Sequence, residues 1–393
     1  MKKNFVEKKM QELRVLHVSS ALSWRGGEQQ VAYLVEELRQ QGVPQWVLCA
    51  KGSEMEKWCR QAGVAFFTYQ KWTSFNPLAG WRIRQACIAT GATIVHTHDS
   101  HGHTYAVLAA SLFGNQAPLV IHRRVDFPIG KGWLSKWKYN HPAVARFICI
   151  SQVIYDMVAA GVKDPSILEL VNSGIDLGKF GLDETGKGLQ KSKAPGSILR
   201  KEFKVPDGRY IVANVAAIAP HKDYFTFVKT AEILIRERFP AWFFVIGADG
   251  GEEQAIRHFI RQKNLEEYFV FTGFRNDIPQ ILPEVDVLLF TSKTEGLGGA
   301  IFEAMACGVP IVATAAGGVP EIVVDGISSL LAPVGDAAIL AGHVRQVLGE
   351  PGLKTKLADN AFKRLPQFSK KKMAREVMDV YKKCQVHFPS ASK

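Results

Sequence analysis

The sequence predicts an α/β protein built from two doubly wound parallel sheets in tandem. Three observations lead there. Short apolar runs alternate with amphipathic helical stretches from residue 13 to 151, and the alternation stops across a stretch rich in Gly, Lys, Ser and Asp from 177 to 208. It then resumes from 210 to 331. In the first half, Leu13 to Ser19, Gln45 to Ala50, Ala65 to Tyr69, Ile94 to His98, Leu119 to His122 and Phe147 to Ser151 have the length and composition of buried strands. Helical periodicity fills several gaps, as over Gly27 to Gln40 with Gly42 as a stop, and over Tyr105 to Phe113. In the second half the candidate strands are Tyr210 to Ala216, Trp242 to Ile246, Val270 to Thr272, Val285 to Phe290, Ile311 to Ala313 and Ser329 to Leu331. The segment from Ser369 to His387 reads as a basic helix.

These boundaries give an N-terminal domain over 1–176, a connection over 177–208, a second domain over 209–368 and a C-terminal helix over 369–393. The chain has 393 residues, 47% hydrophobic and 22% charged, which suits two globular domains and excludes a disordered or fibrous protein. Met1 to Glu12 is charged rather than apolar, and no apolar run reaches the ~20 residues of a membrane span. A cytoplasmic protein is expected. Six scattered cysteines without a Cys-x-x-Cys pair read as buried thiols rather than as disulfides or zinc ligands. Residues 1–175 hold 20 basic against 12 acidic side chains, and the remainder 29 against 25. The first half is therefore the more basic, which favours an anionic lipid or an acidic acceptor; the usual nucleic-acid motifs are missing, so no nucleic-acid partner is expected.

The richest segment runs from Thr294 to Pro310. It places Glu295 and Glu303 eight residues apart around Leu297-Gly298-Gly299-Ala300, between the strand ending at Phe290 and a helix over Phe302 to Cys307. Backbone N–H groups at such a strand-to-helix turn, with the positive end of the helix dipole, suit a phosphate; two carboxylates beside it suit hydroxyls. Glu303 should then lie about two helical turns beyond Glu295. Gly26-Gly27 opens a helix after the first strand and lets backbone approach a diphosphate, although alone it also fits an ordinary tight turn. His96, His98, His101 and His103 crowd one strand end, but their spacing lacks the partners of a simple metal site, so no metal is expected. His101 and His103 read as surface histidines. Arg123, Arg124, Lys131, Trp133, Lys136, Trp137 and Lys138 interleave cations with aromatics, a pattern suited to a membrane surface or a phosphorylated glycolipid and equally to an amphipathic helix over the core.

The Glu-x7-Glu spacing resembles the signature of the retaining glycosyltransferases of the GT-B fold, in particular the large family numbered four, of the kind that builds bacterial cell-surface glycans. Asn172-Ser173-Gly174-Ile175-Asp176, Phe271-Thr272-Gly273-Phe274, Ala315-Ala316-Gly317-Gly318-Val319-Pro320-Glu321 and Gly26-Gly27-Glu28 resemble that family's other motifs, in its order. The resemblance implies two Rossmann-like domains facing a cleft, with the last helix crossing back to the first domain. It implies a donor that is a UDP- or GDP-sugar, a glycan or lipid-linked acceptor as in lipopolysaccharide synthesis, no cofactor and no bound metal. It assigns catalytic roles to His98, Lys222 and Glu295, and donor contacts to Gly26, Gly27, Lys222, Phe274, Leu297, Gly298, Gly299, Ala300 and Glu303. Ala217 stands where the family carries a pyrophosphate-binding arginine, which leaves Arg123, Arg124 or Arg275 to supply a second cation. Other readings are a sugar-nucleotide epimerase or phosphorylase on the same fold, and a sugar-nucleotide-binding protein without activity. The expected partners also include weak, peripheral association with an anionic membrane.

Overall fold

The computed structural model describes residues 12–130, 132–188 and 198–387. The chain divides into two compact units, Met1–Ser173 with Lys371–Lys393, and Gly174–Lys370. The polar stretch 177–208 is thus part of the second unit, so far as it is described: Asp176 caps a 3-10 turn at Leu177–Phe180, and Ile198–Glu202 forms a short helix that Glu284 caps through the N–H groups of Ile198 and Leu199.

The described residues of the first unit form seven parallel strands: β1 (Val15–Ser19), β2 (Gln45–Ala50), β3 (Phe66–Tyr69), β4 (Ile94–Thr97), β5 (Leu119–Arg123), β6 (Val144–Cys149) and β7 (Leu168–Leu170). Their order is β3-β2-β1-β4-β5-β6-β7, so the winding reverses between β1 and β4. β6 starts earlier than the apolar run suggested, because Val144 to Arg146 pair with β5 across an irregular register; Ser151 lies beyond the strand and caps the helix Gln152–Ala159. β7 escaped the sequence reading because it is a three-residue edge strand that leaves Leu170 exposed. The core joins Val15, Ile94 and Val120 of the sheet to Leu34 and Leu38 of the helix Gly26–Gln40. Ala374, Val377 and Tyr381 of the helix Lys370–His387 complete that cluster, and Lys383 pairs with Glu169 at 2.8 Å.

The described residues of the second unit form six parallel strands: β8 (Tyr210–Val215), β9 (Ala241–Ile246), β10 (Phe269–Gly273), β11 (Val287–Phe290), β12 (Ile311–Thr314) and β13 (Leu330–Ala332). The order β10-β9-β8-β11-β12-β13 reverses between β8 and β11. Strands that are buried on both faces read as continuous apolar runs, which is why these ranges were visible in the sequence. Two of the helices begin earlier than their periodicity predicted, at Ser100 and Gly299, because Asp99 and Gly298 start them. All six cysteines are free and five are buried.

Candidate active site

In open α/β sheets the carboxyl ends of the strands beside the reversal point form the natural ligand site, since the connecting loops there diverge to opposite faces. In the second unit those ends are the loops after β8 and β11. Lys222 closes the 3-10 turn Pro220–Lys222 after β8, and Glu295 lies in the turn after β11. Their side chains meet in an ion pair, Lys222 Nζ to Glu295 Oε2, with each side chain about 85% covered (16% and 14% exposed). Ser292 Oγ adds a hydrogen bond to the same carboxylate oxygen at 3.3 Å, and Lys222 Nζ lies 5.4 Å from the Phe290 ring centroid. Asp223 next door adopts φ 48°, caps the helix Tyr224–Arg236 through the Thr226 N–H and pairs with Lys293 at 3.3 Å. That network fixes where the lysine leaves the backbone.

Gly298 adopts φ 91° at the start of the helix Gly299–Ala306, a conformation that favours glycine. Leu297 is buried, and Gly299 has open space where a side chain would stand. Glu303 is one turn into this helix rather than two turns from Glu295, because the residues from Glu295 to Gly298 are not helical. Its carboxylate makes no hydrogen bond among the described residues. Burial pushes it up to about 7 from 4.5, with Lys179 as the opposing influence. A second glycine turn bears on Glu295: Gly318 N–H donates to Glu295 O at 2.9 Å. At Gly317 (φ 51°) an added Cβ would stand 2.0 Å from that same carbonyl oxygen. Gly317→Ala is therefore expected to displace the Glu295 backbone and to destabilise the protein by about 1–3 kcal/mol, read as a lowered midpoint in urea unfolding. Phe274, just past β10, is 70% exposed.

Of the three candidates for a second cation, Arg275 is committed elsewhere. Its guanidinium is held by Asp277 at 2.7 Å and Glu202 at 2.9 Å, which raises its pKa. Arg123 is buried and donates to Phe127 O. Arg124 has Nε and Nη1 shielded from solvent without partners, and burial lowers it to about 9. Ala217 is exposed in the loop after β8.

In the first unit the reversal lies between β1 and β4, and His98 follows β4 there, its N–H bonded to Val18 O at 3.0 Å. Its neighbour Asp99 caps the next helix through Gly102 N–H at 2.8 Å and accepts from Ser20 N–H at 2.6 Å. Gly26 and Gly27 open the helix Gly26–Gln40, with the Arg124 side chain 3.9 Å from the position of a Gly27 Cβ. Glu28 Oε2 accepts from Arg25 N–H at 3.0 Å, and burial raises its pKa. His98 Nε2 lies 3.0 Å from His17 Nδ1; His96 Nδ1 lies 2.6 Å from the Tyr381 hydroxyl; His122 stacks on His96 with centroids 5.3 Å apart. Burial lowers the pKa of all four histidines, so each is neutral near pH 7.

The fold brings a third histidine, His17, to the two of the strand end. His17, His96 and His98 each offer a nitrogen within 4.8 Å of the others, because β1 and β4 are adjacent. Arg124 nonetheless adds a positive charge that depresses His96 and His98, and it opposes a dication in the same way.

Three other sequence expectations are corrected. His103 is not a surface residue: it is 1% exposed, packed edge-on to Tyr139 and Phe147. Lys138 donates to Ser100 O at 2.7 Å, and burial lowers it to about 8, so it does not point into solvent. Arg123 and Arg124 are likewise tucked into the unit, while Lys131 lies outside the described residues. The segment does expose Trp133 (74%), Leu134 (56%) and Trp137 (39%), on the helix Trp133–Tyr139, with Lys136 beside them.

Two family models match the chain: Glycosyltransferase Family 4 over residues 24–179 and Glycosyl transferases group 1 over residues 197–364. A 2-deoxystreptamine N-acetyl-D-glucosaminyltransferase of Streptomyces fradiae is 37% identical over 143 residues, 36% of this chain and 34% of the relative. A UDP-Gal:alpha-D-GlcNAc-diphosphoundecaprenol alpha-1,3-galactosyltransferase of Escherichia coli is 28% identical over 232 residues, 56% of this chain and 57% of the relative. The chain thus spans between a third and just over half the length of these two proteins. The solved structure of Anabaena HepE with UDP and glucose superposes with a TM-score of 0.79 at 19% identity, covering 93% of this chain and 98% of HepE.

Proposed function

The chain belongs to the glycosyltransferases of the GT-B fold that make up family 4 and group 1, and from that premise we propose that it moves a sugar from a nucleotide diphosphate sugar to an acceptor hydroxyl with retention of anomeric configuration. The observation that carries this reading is the largely buried Lys222–Glu295 pair beside the Gly298 turn, with the Glu303 carboxylate, which has no hydrogen bond among the described residues, one helical turn on. Glu303 accepts the two ribose hydroxyls. The N–H groups around Gly298 and Gly299, with Lys222, hold the diphosphate. Glu295 turns from Lys222 to the hydroxyls of the donor sugar, while His98 and the Gly26-Gly27 turn of the first unit bind a sugar hydroxyl and an anionic oxygen.

In the reaction the bond from the anomeric carbon to the β-phosphate oxygen breaks, and the electron pair leaves with the nucleoside diphosphate. The acceptor oxygen bonds to the same face of that carbon, and its proton passes to the departing phosphate oxygen. Lys222 acts where charge develops, so it stabilises the transition state more than the bound donor. No cofactor enters this scheme. UDP-sugars are the first donors to try, since HepE binds UDP, followed by GDP-sugars. A lipid-linked or glycan acceptor of the bacterial cell surface is supported by the E. coli relative, which acts on a diphosphoundecaprenol-linked sugar.

The test is transfer from UDP-glucose, UDP-N-acetylglucosamine and GDP-mannose to extracted glycolipids, with the product anomer read by NMR and EDTA present in a parallel series. An altered free sugar without acceptor would mark an epimerase. Tight donor binding with neither hydrolysis nor transfer would mark a binding protein.

Among the described residues no helix is long and apolar enough to cross a membrane. We propose a cytoplasmic enzyme whose membrane contact is made by the exposed Trp133, Leu134 and Trp137, with Lys136 an exposed cation beside them. Because Arg123, Arg124 and Lys138 are turned inward, salt should matter less than the charge count suggests. Trp133→Ala with Trp137→Ala is expected to reduce cosedimentation with anionic vesicles at least several-fold, and 0.5 M salt to reduce it less. The opposite ranking would assign the contact to charge alone.

A further inference from the structure

His98 closes a chain of hydrogen bonds whose directions follow from atoms that have a single role. Val35 O only accepts, so the Gln45 side-chain atom 2.7 Å from it is the amide nitrogen. The remaining amide atom is the oxygen, which also only accepts. It lies 3.1 Å from His17 Nε2, so that nitrogen carries a hydrogen. A neutral imidazole has one N–H, and burial keeps His17 neutral down to about 4. His17 Nδ1 is therefore a bare acceptor. His98 Nε2, 3.0 Å away, must be the donor, and a neutral His98 is left with its lone pair on Nδ1. That nitrogen is shielded from solvent, has no hydrogen-bond partner, and belongs to a side chain that is 6% exposed.

We propose that His17, oriented by Gln45, is a positioning residue that locks His98 in the Nε2–H tautomer, so that His98 Nδ1 accepts a hydrogen bond from a hydroxyl of a bound sugar. The assignment of the sugar rests on the transferase reading; the tautomer does not. In the other tautomer His98 would point an N–H at that hydroxyl and offer it no lone pair. A carbonyl-anchored glutamine fixes the choice because each link in the chain can face only one way, and the His17–His98 link is buried away from competing water. Arg124, whose unpartnered N–H groups belong to the same cluster, stands close enough to depress His98.

Three variants separate orientation from bulk. Gln45→Met removes the oxygen that orders His17, His17→Leu removes the acceptor facing His98, and His17→Asn keeps an oxygen able to accept from His98. With ring-15N histidine, two-bond 1H–15N spectra of the full chain should show His98 as the Nε2–H tautomer, and a mixture in Gln45→Met. Turnover should fall about tenfold or more in His17→Leu and recover largely in His17→Asn, an effect of the size expected for a positioned hydrogen-bonding group. Loss of both donor hydrolysis and transfer would place the hydroxyl on the donor sugar; loss of transfer alone would place it on the acceptor. An Nδ1–H tautomer in the wild type overturns the proposal, as does unchanged turnover in a Gln45→Met protein whose His98 tautomer has changed. An intact Nε2–H tautomer in a protein inactive with every donor would instead defeat the transferase reading and, with it, the role given to Nδ1.

Discussion

Lys222→Ala is expected to lower turnover about 100-fold or more, with a smaller effect on donor affinity, because in the proposed reaction it removes the cation from the phosphate oxygen on which charge develops. The substitution has a structural side as well. Glu295 would lose its ion-pair partner and keep, among the described residues, the Ser292 hydroxyl at 3.3 Å. Lys222→Arg tests which effect dominates, since it preserves a cation near Glu295 but changes its reach and shape. With Ala217 exposed in the adjoining loop, an arginine there has room to extend, and Ala217→Arg should restore part of the activity lost in Lys222→Ala. Arg275 should give no such support, because Asp277 and Glu202 already occupy its guanidinium. The measurement is kcat for transfer and for donor hydrolysis alongside the thermal midpoint. A midpoint that falls in step with kcat would make the lysine a structural residue.

Glu303→Gln should pull stability and binding in opposite directions, and pH separates them. The folded protein holds Glu303 near a pKa of about 7, against 4.5 for the ordinary carboxyl. Between those values the native state keeps a proton that the unfolded chain has released. The native state therefore loses stability as pH rises from 4.5 to 7, and bears the full cost above 7. Allowing for partial exposure, that cost is about 1–3 kcal/mol. Glu303→Gln removes it, so the variant should melt higher than the wild type at pH 8, and the difference should vanish by pH 5. For ligand the sign reverses. In the proposed donor site two ribose hydroxyls donate to the ionised carboxylate, so Glu303→Gln should weaken UDP by about 1.5–3 kcal/mol at pH 8. Wild-type affinity should fall below pH 7 relative to the variant, a comparison that cancels the titration of UDP itself. Calorimetric titration of both proteins at pH 6 and 8 decides it, and equal affinities at pH 8 would remove Glu303 from the nucleotide site.

The glycine turn was legible because special backbone needs special residues: Gly298 at φ 91° and Gly317 pressed against the Glu295 carbonyl leave little choice of side chain. His103 was misread because its neighbours in sequence are polar, whereas Tyr139 and Phe147 arrive from elsewhere in the chain. Arg123, Arg124 and Lys138 were misread for the complementary reason, since a cation in a basic segment looks solvated until a carbonyl or a buried cluster claims it. The early start of β6 depended on pairing with β5, which no local pattern contains.

By itself the sequence determined two sets of buried parallel strands, the helices between them and the turn that carries Glu295 and Glu303, because each is written in local periodicity and local backbone demand. The tertiary structure decided which polar atoms meet. Lys222 finds Glu295 across 73 residues, His17 finds His98 across 81, and Tyr381 reaches His96 across 285. In the first two cases the cause is the register of neighbouring parallel strands, β8 beside β11 and β1 beside β4, which lays their carboxyl ends together. In the third it is the apolar face of the last helix, whose burial on the first sheet carries one tyrosine hydroxyl to a buried histidine. Hydrophobic pattern specifies that such surfaces pack; only the packed geometry specifies the partner of each nitrogen and oxygen.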